Sequence, residues 1–85
     1  MASRLAVMGI IVESLASVEP LNSLLHEYGN YIIGRMGIPY REKNVNVMSI
    51  VIDAPQDTIA ALAGKAGNLA GVSVKTAYSS VITDE

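Results

Sequence analysis

Apolar and polar residues along this chain follow two periods, one typical of strands and one typical of helices. Apolar segments rich in β-branched residues predict strands at residues 5–12, 31–38, 45–52 and 72–78. Apolar residues at helical spacing predict a first helix from Val18 to Tyr28 and a second helix with an inner stripe from Ile59 to Leu69. The elements therefore follow the order β-α-β-β-α-β.

Local signals at the helix ends support this order. Ser17 is a suitable N-cap for the first helix, and Gly29 a suitable stop. Asp53 and Pro55 mark the beginning of the second helix, with Asp53 as its cap. The order predicts a single α+β domain over residues 1–85 with a ferredoxin-like βαββαβ fold. Four antiparallel strands in the order 4-1-3-2 would carry both helices on one face.

The two central strands of this sheet are apolar on both faces. Alternate residues in strands one and three form two apolar sets. One side has Ala6, Met8, Ile10, Val12, Met48, Ile50 and Ile52, and the other has Leu5, Val7, Ile11, Val45, Val47 and Val51. Two helices can cover only one of these faces, and a sheet face in water is normally polar. We therefore expect a homo-oligomer in which another copy of the chain covers the second face.

Strand two contains glycines at an edge of the sheet. Strict alternation places Ile32, Gly34, Met36 and Ile38 on the helix-covered face and Tyr31, Ile33, Arg35 and Gly37 on the uncovered face. Glycines on an edge strand permit a bulge or a close approach of another backbone. We predict a subunit or ligand contact from Tyr31, Gly34, Arg35, Gly37 and Arg41; the alternative is a twisted edge strand with a solvated arginine.

Composition and charge narrow the classes of partner. The chain has 85 residues, of which 51% are hydrophobic and only 16% charged, against about 25% charged in an average domain. Its six Lys and Arg residues are scattered and its net charge is −2, which argues against direct nucleic-acid binding. No apolar run reaches the about 20 residues of a membrane span. We expect a cytoplasmic protein without a leader sequence.

The chemistry-bearing residues do not predict an enzyme. His26 is the only histidine and there is no cysteine, so we expect no metal site, catalytic triad or cofactor. The Gly64-Lys65-Ala66-Gly67 segment lacks the preceding glycine and the Ser or Thr of a phosphate loop. The alternative is a small enzyme whose active site, shared between subunits, uses Arg35, Arg41, Tyr40 or His26.

Several short motifs occur in a specific order across residues 22–76. They are Leu25-His26, Gly34-Arg35-Met36-Gly37, Pro39-Tyr40-Arg41-Glu42, Asp57-Thr58-Ile59 and an ending from Gly64-Lys65 to Val74-Lys75-Thr76. In these features the chain resembles the family of proposed regulators of the iron-only hydrogenase system.

The resemblance carries expectations about assembly and function. Members of this family look like ACT domains and like the C-terminal domain of nickel-responsive repressors, which assemble through their sheets and bind effectors at subunit interfaces. The resemblance therefore implies a non-catalytic, ACT-like regulatory module that forms a dimer or tetramer through its open sheet face and binds a small molecule or a protein. This chain lacks the histidine and cysteine cluster of the nickel repressors, so we expect effector sensing rather than operator binding.

Overall fold

The sheet and the two helices occur in the predicted order. A computed structural model describes the backbone of residues 2–84 and the side chains of residues 2–81. The elements are β1 (Ala2–Val12), α1 (Val18–Glu27), β2 (Ile32–Tyr40), β3 (Val45–Ala54), α2 (Gln56–Gly67) and β4 (Val72–Asp84). Short 3₁₀ turns at Leu15–Ser17, Gly29–Tyr31 and Arg41–Lys43 join β1 to α1, α1 to β2 and β2 to β3. Neither helix of the described chain is long and apolar enough to cross a membrane.

The four strands form one antiparallel sheet in the order β2-β3-β1-β4. The predicted ferredoxin-like fold and the predicted edge position of β2 are therefore confirmed. β1 and β4 are longer than the sequence pattern predicted, because β1 begins at Ala2 and β4 continues to Asp84. Residues 82–84, part of the tail that the pattern left unassigned, thus pair with residues 2–4 of β1.

The hydrophobic core lies between one face of the sheet and the two helices. Cross-strand pairs Met8–Ile50 and Ala6–Ile52 are fully buried beneath α1 and α2. The helices contribute Leu21, Leu25, Ile59, Leu62 and Ala66. Each large side chain buried in this way stabilises the fold by about 1.5–3 kcal/mol. The predicted inner stripes of both helices are the ones that face the sheet.

Two predicted helix caps do not form. Ser17 occupies the N-cap position of α1, but its hydroxyl makes no capping bond; it donates instead to the Ala70 carbonyl at 2.6 Å. Asp53 lies in β3, paired with Leu5 of β1, and Pro55 is the N-cap residue of α2. In both cases a contact with a residue far away in the sequence, Ala70 for Ser17 and Leu5 for Asp53, determines where the residue lies. The local sequence signals for helix caps contain no information about such contacts.

A tight contact joins the loop after β1 to the loop before β4. The Glu13 amide donates to the Gly71 carbonyl at 2.7 Å, and the Ser17–Ala70 hydrogen bond lies beside it. Gly71 has a φ of 68°, and a Cβ built on it would lie 3.0 Å from the Ser14 Cβ and backbone nitrogen. The two loops can approach this closely because residue 71 has no side chain.

A β-bulge in β2 reverses the predicted faces of that strand. Ile32 pairs with Ile52, but Gly34 pairs with Val51, so Ile33 is an extra residue on β2. From that point Arg35 and Gly37 face the helices, opposite Ile50 and Met48. Gly34, Met36 and Ile38 face the open side. The prediction that Arg35 and Gly37 lie on the uncovered face, and that Met36 and Ile38 are core residues, is therefore wrong.

Candidate ligand site and association surface

The face of the sheet that points away from the helices, here called the open face, is broadly apolar. β1 and β3 contribute Val7, Ile11 and Val47, each about two-fifths exposed, at 45, 44 and 38%. β2 adds Met36 and Ile38, which are 60 and 50% exposed. Contiguous exposed apolar patches of about a few hundred Å² or more are uncommon on monomeric soluble domains and are typical of interaction surfaces.

Gly9 forms a depression near the middle of the open face. The depression measures about 240 Å³ and is bordered by Ile11, Val47 and Lys75. Gly9 lies between the buried residues Met8 and Ile10, so a side chain at this position would point to the open face and into the recess. Its Cβ would lie 3.9 Å from the Lys75 carbonyl oxygen, an ordinary contact distance. A flat apolar surface with a recess of this kind can accept a protruding side chain from another molecule.

A cavity of about 160 Å³ lies on the other side of the sheet, between α1 and β2. Its walls are Val18, Leu21 and Asn22 of α1 and the segment 37–39 of β2. Met48 and Val12 supply buried apolar surface beneath it, and Asn46 of β3 adds a carboxamide. We call this space the α1–β2 cavity. It is apolar except for the two asparagines.

Arg35 borders this region and is held by α1. Its Nη2 donates to the Asn22 Oδ1 at 2.8 Å, which the predicted placement on the open face would not allow. The bond orients the Asn22 carboxamide because its oxygen is taken by the guanidinium. The Asn22 amide nitrogen is then left as a donor for another group.

A second, more polar cavity of about 420 Å³ lies next to the first. It is bordered by Glu13 and Leu15 of the loop after β1 and by Tyr40, Arg41 and Asn44 around the turn Arg41–Lys43. We call it the turn cavity. It shares Pro39 and Asn46 with the α1–β2 cavity. The Tyr40 hydroxyl donates to the Glu42 Oε2 at 3.2 Å across this turn.

The structure divides the five predicted site residues among separate places. Gly37 lines the α1–β2 cavity, Arg35 bonds to its rim, and Arg41 lines the turn cavity. Gly34 lies on the open face opposite Val51. Tyr31 ends the turn before β2, so the nine-residue strand separates it from Arg41 by about 30 Å.

The other polar candidates, His26 and Lys65, line neither of the two cavities. His26 is exposed in the last turn of α1. Lys65, in the Gly64–Gly67 segment of α2, has its ammonium 5.4 Å from the centre of the Tyr28 ring. A hydrogen bond to Tyr28 raises the pKa of Lys65 above its usual value. Among residues 2–81, no three His, Cys, Asp or Glu side chains converge in a metal-binding geometry.

Sequence reasoning missed three residues of these sites. Asn22 and Asn46 line the α1–β2 cavity, and Gly9 forms the recess on the open face. Asn22 lies on the polar side of a helix and Asn46 in a predicted strand, so nothing local distinguishes them from solvated residues. The one available signal was Gly9, because a glycine inside an apolar strand marks a close approach or a missing side chain.

Comparisons with known proteins agree with this fold. A family profile described as TM1266-like, a proposed regulator of the iron-only hydrogenase system, matches residues 4–76. TM1266 of Thermotoga maritima, described as an uncharacterized protein, superposes with a TM-score of 0.86. It shares 36% sequence identity, and the match covers 89% of this chain and 96% of TM1266. Comparison with curated proteins gives no match.

A formyltetrahydrofolate deformylase from Pseudomonas putida is also similar in structure, with a TM-score of 0.62 at 13% identity. The match covers 86% of this chain but only 28% of the deformylase, so the likeness shows the fold alone. The family resemblance predicted from the sequence is confirmed by the profile and by the Thermotoga structure. Since both matches cover most of its length, this chain belongs to the TM1266-like family of proposed iron-only hydrogenase system regulators.

Proposed function

We propose that this chain is a non-catalytic regulatory domain that assembles with copies of itself through the open face and binds a small-molecule or protein effector. The observation that carries the proposal is the open face itself. Val7, Ile11, Val47, Met36 and Ile38 are exposed on a single surface of the described chain. A chain with this surface gains free energy when another molecule covers it.

The size of the open face suits association between copies. Four strands of 9 to 13 residues cover on the order of 700 Å² in projection, and a standard interface buries about 800 Å² per partner. Covering 400–600 Å² of apolar surface, taken as an order-of-magnitude range, is worth on the order of 10 kcal/mol before the cost of association. That gain is comparable with the about 4–15 kcal/mol that association costs, so assembly requires that most of the open face is covered.

The charges on this surface favour a second copy as the partner. Lys75 on β4 and Asp53 on β3 are the charged residues at the described strand positions that face the open side. Their signs are opposite, so two identical faces do not repel each other as two surfaces of one sign would. The Gly9 recess also offers a place for a side chain of the facing copy.

A regulatory role is supported by the family to which the chain belongs, whose proposed role is regulation of the iron-only hydrogenase system. The likeness to a deformylase does not support catalysis, because at 13% identity it extends only to the fold. Regulatory domains commonly couple effector binding to assembly, since each ligand changes the other equilibrium by its coupling free energy.

The proposal is tested by light scattering after size exclusion at micromolar concentration. The chain has a mass of 9.0 kDa, and we expect the measured mass to correspond to at least a dimer. Val47→Lys places a charge in the middle of the open face and is expected to give a monomer. Ser23→Lys adds the same charge on the exposed surface of α1 and is expected to keep the assembly.

A monomeric wild-type protein would overturn the proposed assembly. So would a Val47→Lys variant that is folded, as judged by circular dichroism, and still has the wild-type mass. If Val47→Lys fails to fold, Met36→Lys on exposed β2 tests the same surface at its edge.

A further inference from the structure

We propose that the α1–β2 cavity is a binding site for a small neutral molecule with an apolar ring and one hydroxyl or carbonyl group. The inference rests on the proposed effector-binding role and gives that effector a place and a chemical class. It concerns the helix-covered side of the sheet, so it is separate from the association surface on the open face.

The bulge in β2 leaves this cavity unfilled. Because Ile33 is an extra residue, Gly37 faces α1, and Met36 and Ile38, which regular alternation would have turned inward, are exposed on the open side. Space beside a core is normally filled by apolar side chains, since voids forfeit packing contacts. In β2 the glycine Gly37 faces the helices although the neighbouring residues Met36 and Ile38 are apolar and large enough to fill the space. Departures of this kind from regular core packing are concentrated at functional sites.

The volume and the lining set the size and polarity of the ligand. The cavity measures about 160 Å³, close to the about 150 Å³ in which an enclosed engineered cavity holds benzene; here one side is open to solvent, where Asn22, Gly37 and Pro39 are exposed. Val18, Leu21 and Met48 supply apolar surface. A single aromatic ring or a branched chain of similar size fits this space.

The two asparagines define the polar end of the ligand. The Asn22 oxygen already accepts a hydrogen bond from Arg35, which leaves its amide nitrogen as a donor. Asn46 adds a half-buried carboxamide that can donate and accept. A hydroxyl or carbonyl oxygen matches these groups. None of the lining residues in the described chain is charged, and the Arg35 guanidinium at the rim is exposed and already donates to Asn22. A carboxylate in this cavity would therefore lose hydration and gain only a solvent-screened ion pair.

The test uses the full chain and phenol as the probe, with binding followed through the methyl groups of Met48 and Leu21 by NMR. We expect saturable shifts of these signals with a Kd on the order of 1 mM, as suits so small a ligand. We also expect intermolecular NOEs from the phenol ring to the Met48 methyl. Benzoate, which has the same ring and a negative charge, is expected to bind about tenfold more weakly or worse.

Matched glycine variants on the two faces of β2 locate the site. A Cβ on Gly37 would lie 3.9 Å from the Met48 Cγ, so Gly37→Val fills the cavity, and we expect its affinity for phenol to fall about tenfold or more. Gly34 has no atom within 4 Å of its Cβ position and faces the open side. Gly34→Val is therefore expected to bind phenol like the wild type.

The outcomes separate this site from the proposed assembly. Absence of shifts and NOEs in the wild type, or unchanged binding by Gly37→Val, would overturn the site. If Gly37→Val does not fold, the presence or absence of NOEs between phenol and the Met48 methyl in the wild type decides whether the site exists. NOEs from the Met48 methyl to a second copy, in place of phenol, would also overturn it. Light scattering on the same samples reports the mass independently, so a monomer that binds phenol contradicts only the assembly, and an assembly that does not bind contradicts only the site.

Discussion

At the scale of single residues, position 71 disfavours any side chain for two reasons, its backbone conformation and the closeness of Ser14. Its φ of 68° lies in the left-handed region, which costs a residue with a side chain about 1–2 kcal/mol. A Cβ there would also approach Ser14 to 3.0 Å. The contact matters because the Gly71 carbonyl accepts the Glu13 amide and so connects the ends of β1 and β4.

We expect Gly71→Ala to lower the free energy of unfolding by about 2 kcal/mol or more, through backbone strain and the displaced Ser14. The measurement is the midpoint of urea unfolding. Gly64→Ala is the control, because Gly64 lies inside α2 with no atom near its Cβ position. It is expected to stabilise the protein by about 0.5–1 kcal/mol. Equal effects of the two substitutions would contradict this account of Gly71.

At the scale of elements, the bulge in β2 determines which side chains meet the helices. Residues 32 and 34 would share a face in a regular strand, but Ile33 is unpaired and the alternation restarts at Gly34. Arg35 can therefore reach Asn22 on α1. The α1–β2 cavity has Gly37 in its wall for the same reason.

Deletion of Ile33 is expected to leave the pairing of residues 34–40 unchanged, because the remaining residues already oppose β3 one to one. Cross-strand NOEs between Gly37 and Met48 provide the measurement. Deletion of Met36 is the contrasting variant, since it moves Ile38 into register with Met48 and turns it toward α1. If the Ile33 deletion also replaced the Gly37–Met48 contacts, the described bulge would be wrong.

At the scale of the whole molecule, the sheet has one face covered by helices and one apolar face that the described chain leaves exposed. The helices α1 and α2 bury the first face, and the proposed assembly would cover the second. The proposed association depends on the apolar area of the open face. Lys75 on β4 and Asp53 at the end of β3 are the charged groups on the described part of this face.

We therefore expect the mass of the assembly to stay constant between about 0.05 M and about 1 M sodium chloride. Salt screens interactions between exposed charges strongly at the higher concentration, but it does not weaken the burial of apolar surface. Light scattering at both concentrations provides the measurement. Dissociation at high salt would show that ion pairs, rather than the open face, hold the copies together.

The sequence by itself determined the fold, the strand order and the apolar character of both faces of the central strands. These features follow from hydrophobic periods of 2 residues in strands and 3.6 residues in helices. Each period extends over a whole element, so many residues contribute to the same prediction. The family was also recognisable, because its motifs are spread over most of the chain in a fixed order.

Only the tertiary structure decided where the site residues lie. One additional residue in β2 reversed the faces of Arg35 and Gly37, since a shift of one residue turns every later side chain to the opposite side. Ser17 and Asp53 were likewise placed by contacts with distant strands and loops. Periodicity reports the average of an element, whereas a bulge or a long-range hydrogen bond is a single local event that leaves no periodic trace in the sequence.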